Sequence, residues 1–393
     1  MAAERPLYLD HHATTPVDPR VLDAMLPYFT EAFGNASSRQ HRYGWQAEEA
    51  VERARQQVAT LVGARAKEIV FTSGATEANN LAIRGVVAAR RGRGAHVVTV
   101  ATEHHAVLDT CRALAADGCE VTVLPVDRDG LVDPDRFAAA LTDRTVLASV
   151  MAANNEIGVL QPLDALSRAC RARGVWLHTD AVQAAGHVPF DVEASGVDLA
   201  SFTAHKLYGP KGVGALYVRR APKVEIDAQL TGGGQERGLR PGTLNVPGIV
   251  GFGAAAALGA ALLATEGPRV AALRDRLLTA LGDGLDAVSV NGSMTARLPH
   301  NLHVSFAGID SDALMAALAD DLAVSAGSAC ASGSREPSHV VKALGLGKAE
   351  AWGAVRFGLG RSTTAADVDV AAATVIAAVR RLRAVSPVEA VRA

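Results

Sequence analysis

The sequence predicts an α/β protein built on a mostly parallel sheet, with a smaller α+β part in its C-terminal third. Three observations carry this. From about residue 46 to residue 180, short apolar runs alternate with amphipathic helical stretches. The alternation then stops, and a long Ala-rich helical region follows. The composition is that of a soluble globular chain: 393 residues, 49% hydrophobic and 20% charged, with a formal charge of -2.

The elements follow in order. "WQAEEAVERARQQVATLVGA" repeats its apolar residues at helical spacing, and "EIVFTSG" is a short strand running into a turn. "EANNLAIRGVVAARRG" is helical, "AHVVTVATEH" a strand, "AVLDTCRALAADG" a helix and "CEVTVLPV" a strand. The same rhythm continues through helix "PDRFAAALT", strand "TVLASVMAAN", helix "PLDALSRACRARG" and strand "VWLHTDAV". Strands at "VDLASFTAHK" and "GVGALYVRR" close this part. A long helix is then expected from about Val250 to Leu281, bridging the two parts near residues 248–265. After it come strands "AVSVNG" and "NLHVSFAG", helix "SDALMAALAD", a cysteine-bearing loop and a closing helix at "AADVDVAAATVIAAVRRLRA". The expected division is a large domain over 16–255 and a small one made of 1–15 and 256–393, with the cysteine loop at about 324–338.

Near-neutral charge argues against nucleic acid or an anionic membrane as the main partner. "MAAERPLYLD" lacks the apolar core of a signal peptide, and "GFGAAAALGAALLA" falls short of the roughly 20 residues that span a bilayer. A cytoplasmic protein with no membrane contact is expected. The four cysteines form no CxxC pair and no metal-ligand spacing, so no metal site is expected. Cys111, Cys119 and Cys170 lie in helix and strand contexts and read as core residues. Cys330 differs. In "VSAGSACASGSREPSHVVKALG" it stands among small, polar, turn-forming residues, where a packing role is out of place.

Three stretches carry chemistry. "FTSGATEANNLAI" puts a Gly turn between a strand and a helix, so the N–H groups of Gly74, Ala75 and Thr76 suit a phosphate; the same residues also serve as ordinary helix caps. "LHTDAVQAAG" puts Asp180 at the end of an apolar strand, either as an N-cap or as the counter-charge of a cationic ring nitrogen. "SFTAHKLYGPKGVGALYV" puts Lys206 after a strand, either as an ordinary surface lysine or, in an apolar setting that lowers its pKa, as a nucleophile; Lys211 reads as a surface residue. A phosphate turn, a strand-end Asp and a strand-end Lys are the three contacts that pyridoxal phosphate needs, and together they are far more specific than any one alone.

On these and further motifs the chain resembles the cysteine desulfurases, class V enzymes of the fold type I pyridoxal-phosphate group, in the branch with a long cysteine loop. The motifs are "YLDHHATTPVDPRV", "GNASS", "TSGATEANNLAI", "TEHHAVLDT", "NNEIGVLQP", "HTDAVQAAG", "AHKLYGPKGVGALYVRR", "GGGQERGLRPGT", "GSACASGSREPSHVVKALG" and "VRFGLGRSTT", spread over nearly the whole chain. The resemblance implies a mostly parallel seven-stranded sheet and a site drawn from many of these motifs. Lys206 would hold the cofactor as a Schiff base. Asp180 would bond its pyridinium nitrogen, Gln183 its phenolic oxygen, and His104 would stack on its ring and act as a catalytic proton shuttle. Ala75, Thr76, Thr203 and His205 would bind the phosphate. Thr243 would reach the phosphate of a neighbouring subunit, which implies a homodimer. Asn155 would contact the cofactor and, with Arg356, hold the carboxylate of L-cysteine, a task that suits the planar guanidinium fork. Cys330 would take the sulfur as a persulfide and pass it to an acceptor or scaffold protein, for iron–sulfur cluster assembly or thiolation, leaving L-alanine.

The chain departs from the family pattern at Pro241, where Ser is frequent, and at Ala204, where Gly is frequent. His11 and His12 replace residues that are often small or otherwise polar, and read as packing near the site. His105 and His178 read as bystanders, and "GGGQERG" lacks the strand–helix frame of a nucleotide loop. Selenocysteine lyase and other class V aminotransferase chemistry use the same cofactor. A sulfur-relay scaffold without catalysis is the reading from another class, and the intact set Lys206, Asp180, His104 and Cys330 argues against it.

Overall fold

The computed structural model describes residues 5–327 and 336–385. Seven strands form the main sheet, in the order Ile69–Thr72, Gly214–Val218, Leu199–Thr203, Trp176–Asp180, Thr145–Ser149, His96–Val100, Glu120–Leu124. Only Gly214–Val218 runs against its neighbours; every other pairing in the sheet is parallel. Five of the seven strands are buried along their whole length, as helices on both faces require. That is why they read as continuous apolar runs rather than as alternation.

Helices Arg42–Leu61, Ala75–Ala89, His105–Ala116, Pro134–Ala140 and Leu163–Arg173 lie where the sequence periodicity puts them. Asp133 caps one of them by accepting from the N–H groups of Asp135 and Arg136, ahead of Pro134 at the first helical position. Gly174, in the left-handed conformation, ends another. One apolar cluster fills the sheet face covered by Arg42–Leu61; a second lies between the other face and Ala75–Ala89.

The long helix runs unbroken from Val246 to Gly284 and is not ended by Pro268. Its first half packs into the large core through Val246, Ile249, Phe252, Ala255 and Ala256. Its second half packs into a separate core through Val270, Leu277 and Leu281. By length and composition it could cross a membrane, and half of its most apolar stretch is buried within the protein. The second core also holds an antiparallel sheet ordered Ala354–Gly358, Asn301–Phe306, Val288–Val290, and the closing helix Ala365–Val385. The N-terminal residues join this part: Leu7–Tyr8 pairs in parallel with Leu322–Ala323, and Leu9 is fully buried among its apolar side chains.

Cys111, Cys119 and Cys170 are buried, as their contexts imply. Burial pushes the Cys111 thiol up to about 12 and raises the other two, so none of the three is an available thiolate at neutral pH. Cys330 lies outside the described residues.

Candidate active site

The carboxyl ends of the parallel strands open into one cavity of about 510 Å³, where ligands bind in open α/β sheets. Asp180 closes strand Trp176–Asp180 and is nearly buried. Its Oδ2 accepts from Asn79 Nδ2 at 2.7 Å and its Oδ1 from the Val182 N–H at 3.1 Å. Asn79 projects from helix Ala75–Ala89, so helix and strand fix the carboxylate between them.

Lys206 follows strand Leu199–Thr203 on a single tight turn. Its amine donates to the carbonyl oxygens of His12 and, at 2.8 Å, of Ala13. The N-terminal segment thereby reaches across to the lysine. His205, whose Nδ1 lies 3.1 Å from Thr14 Oγ1, lines the same cavity. Burial, reinforced by the Lys206 charge, lowers its pKa to about 4, so it is neutral at physiological pH. Thr203, Ala75 and Thr76 also line the cavity. Among the described residues, and apart from Gly74 and its two chain neighbours, no heavy atom lies within 4 Å of the place a side chain would occupy on Gly74. The N–H groups of the first turn of Ala75–Ala89 have no partner within the helix and face this open space.

His104 caps helix His105–Ala116, its Nδ1 accepting from the Ala106 N–H at 3.1 Å. In a neutral ring the proton is then on Nε2. Burial lowers its pKa, against the pull of Asp180. His105 instead lies 3.8 Å from Asp109 one turn along the helix. His178 is fully buried between Ser149 Oγ and Ser201 Oγ, at 2.8 and 3.0 Å, and burial holds it at about 3: a structural crosslink, as read.

Arg356 comes from the other sheet, in strand Ala354–Gly358, and is 1% exposed. Nη1 donates to Asn155 O at 2.8 Å and Nη2 to Asp10 Oδ1 at 2.6 Å. Nε is buried with no partner among the described residues. A guanidinium that lines the cavity, held on two sides through two of its five N–H donors, is prepared for an incoming carboxylate. Asn155 lines the cavity beside it, held by the turn in which Asn154 Oδ1 accepts from the Glu156 and Ile157 N–H groups.

The structure thus brings Lys206, Asp180, His104, Gln183, Ala75, Thr76, Thr203, His205, Asn155 and Arg356 to one cavity. Thr243 is exposed and does not line the cavity of its own chain. Lys211 is exposed, as read, but it also lines the cavity, because the turn after Lys206 folds back over it. Asn79 and His12 also line the cavity and were not legible as site groups. Asn79 carried one usable signal, an amide on the inward stripe of an apolar helix.

The family model for class-V aminotransferases matches residues 7–370. The chain belongs to the class-V aminotransferase family. Within this family it is 58% identical over 382 residues to a cysteine desulfurase IscS of Anaeromyxobacter sp. (strain Fw109-5), covering 97% of this chain and 94% of that one. The solved structure of a NifS-like protein superposes with a TM-score of 0.87 at 36% identity, covering 97% of this chain and 99% of the other. A structure of SspA in complex with cysteine superposes with a TM-score of 0.79 at 35% identity, over 90% and 98% of the two chains. Class-V enzymes depend on pyridoxal phosphate, and this cavity fits it: an amine, a carboxylate and an open helix N-terminus line one space of suitable size.

Proposed function

We propose that this protein is a pyridoxal-phosphate-dependent cysteine desulfurase that converts L-cysteine to L-alanine and passes the sulfur on as a persulfide. The observation that carries the reading is the convergence of Lys206, Asp180, His104 and Arg356 on one cavity, in a chain whose near full-length relatives bear that name. The roles follow from the chemistry of each group. Asp180, held by Asn79 and the Val182 N–H, would face the ring nitrogen; the first turn of Ala75–Ala89, with Thr76, Thr203 and His205, would hold the phosphate. Pyridoxal phosphate supplies an electron sink that makes a Cα–H bond labile. Lys206 Nζ would bind it and then carry the substrate's Cα proton. The Arg356 guanidinium would take the substrate carboxylate, beside Asn155. His104 would present its Nε2–H to the cavity. The Cys330 thiolate would bond to the substrate sulfur as the Cβ–S bond breaks; the bonding pair passes to carbon and, with a proton, leaves alanine.

A homodimer belongs to this reading. Leu22, Leu26, Phe29, Phe33, Tyr43 and Trp45 are each 46–62% exposed within one short stretch, an apolar surface that a second copy would cover. Thr243, outside its own cavity, would serve the partner's. The sulfur acceptor would be a protein of iron–sulfur assembly or thiolation.

The test is product analysis with L-cysteine. Alanine and persulfide sulfur should form in equal amounts, the purified protein should be yellow, and Lys206→Ala should be colourless. Cys330→Ala should keep the colour and lose sulfur transfer. Absence of alanine overturns the reading. Phe29→Asp with Phe33→Asp should halve the mass in sedimentation and weaken cofactor retention; an unchanged mass would remove the dimer from it.

A further inference from the structure

Gln183 does not stand alone at the cavity wall. It ends a chain of four buried polar side chains whose hydrogen-bond directions are fixed from both ends. At one end is Arg297, a guanidinium that can only donate; its Nη1 lies 2.9 Å from Asn301 Oδ1. Asn301 must therefore present its amide nitrogen elsewhere, to Glu156 O at 2.8 Å and His12 Nε2 at 3.1 Å. His12 Nε2 accepts, so its proton sits on Nδ1, which points at Gln183 Oε1 at 3.0 Å. At the other end is the His12 carbonyl, which can only accept, and Gln183 Nε2 donates to it at 3.1 Å. No member can be turned over without setting two donors or two acceptors against each other. The second hydrogen of Gln183 Nε2 is the one left for the cavity.

We propose that His12 is a positioning residue, which locks the Gln183 carboxamide with an N–H toward the cavity and so tunes the oxygen of the bound cofactor. The His12 ring is 1% exposed and stacks on His300 at 4.4 Å, which stacks in turn on His187 at 4.2 Å. His187 Nε2 lies 2.9 Å from the Lys206 carbonyl, so the stack spans from one anchor of the site to another. The titratable groups around His12 are Arg356, Lys206, His187 and His300, from four separate segments. Burial first, then Arg356, lower its pKa well below the ordinary value. A neutral ring with a defined tautomer is what the relay needs, because a charged imidazole would set two donors against Asn301.

The inference rests on pyridoxal phosphate as the occupant. The yellow colour of the wild-type protein tests that premise separately from the role of His12. The experiment is a pH titration of the visible band in the cofactor-loaded enzyme. An N–H on the ring oxygen favours the more negative, deprotonated chromophore, so losing it raises the midpoint. His12→Phe keeps the ring and the stack on His300 but removes both nitrogens. It should raise the midpoint by about one unit, the worth of one charge-assisted hydrogen bond. His12→Asn, with an amide near the Nδ1 position, should recover at least half of the shift. In a Gln183→Ala background, His12→Phe should add nothing, since the effect passes through Gln183. An unmoved midpoint in His12→Phe overturns the proposal, as does a shift that persists without Gln183. Nitrogen-15 spectra of histidine-labelled wild-type enzyme give a test that needs no variant to fold. His12 should be the Nδ1–H tautomer and neutral from about pH 6 to 9; the Nε2–H tautomer would overturn the proposal.

Discussion

Glu103 and Asp180 are two buried carboxylates close enough for each to feel the other, and their surroundings treat them differently. Asp180 accepts two hydrogen bonds at 2.7 and 3.1 Å. Glu103 is 0% exposed and accepts one, from the Met151 N–H at 2.5 Å, while its Oε2 has no partner among the described residues. Burial, then the Asp180 charge, push Glu103 well above the usual carboxylate range, so at neutral pH it is an uncharged acid. Glu103→Gln should therefore change unfolding free energy by less than about 1 kcal/mol. Glu103→Ala, which strands the Met151 N–H, should cost about 1–3 kcal/mol. Urea unfolding of both variants measures this, and a large loss in Glu103→Gln would mean that Glu103 is charged. Residues of this kind mark the limit of what the sequence reveals. Lys206 and Asp180 were legible because a charged residue closing an apolar strand, or standing just after one, is a local anomaly. Glu103 and Asn301 act through partners that only the fold brings near, Met151 for the one and Glu156 and His12 for the other, and nothing adjacent to them in the chain announces it.

Among the elements, the alternation of strand and helix was legible because most strands of the main sheet are buried on both faces and the helices between them on one. What escaped was short or borrowed. Strand Ala354–Gly358 sat inside a catalytic motif, and Leu7–Tyr8 is a strand only because Leu322–Ala323 pairs with it. Helix Val246–Gly284 continues through Pro268 because its two halves are anchored in two cores. Its contact with helix Arg42–Leu61 is made close by small residues. A side chain on Gly253 would stand 2.6 Å from the Ala54 Cα and 2.7 Å from the Ala54 Cβ. Backbone cannot yield as a flexible side chain can, so Gly253→Leu must push the helices apart. Overpacking of this kind costs about 1–3 kcal/mol. The loss should appear in denaturant unfolding of the cofactor-loaded protein. Equal stability of the wild type and the variant would show that the two helices are free to separate.

At the scale of the whole molecule, the histidines set the response to acid. Nine of the chain's twelve have lowered pKa values, in each case chiefly through burial. His178 and His303 fall to about 3, and His205 to about 4. An unfolded histidine takes up its proton near pH 6.5. Below that value the unfolded chain binds more protons than the folded one, so stability rises with pH. The histidine contribution is therefore complete above about pH 6.5 and is lost as pH falls toward the folded values, and the part of that window between about pH 6.5 and pH 5 lies above ordinary carboxylate titration. Each fully buried histidine adds up to about 1.4 kcal/mol per pH unit to that slope. His178 isolates one such term, since it bridges two serines away from the cavity lining. His178→Gln keeps a neutral polar bridge and removes the titration. The slope of unfolding free energy between about pH 6 and pH 5 should then fall by about one proton, while stability near pH 8 changes little by comparison. Unfolding curves at a series of pH values measure both. A slope unaltered by the substitution would mean that His178 already carries its proton in the folded protein, and that the Ser149–His178–Ser201 bridge holds a cation.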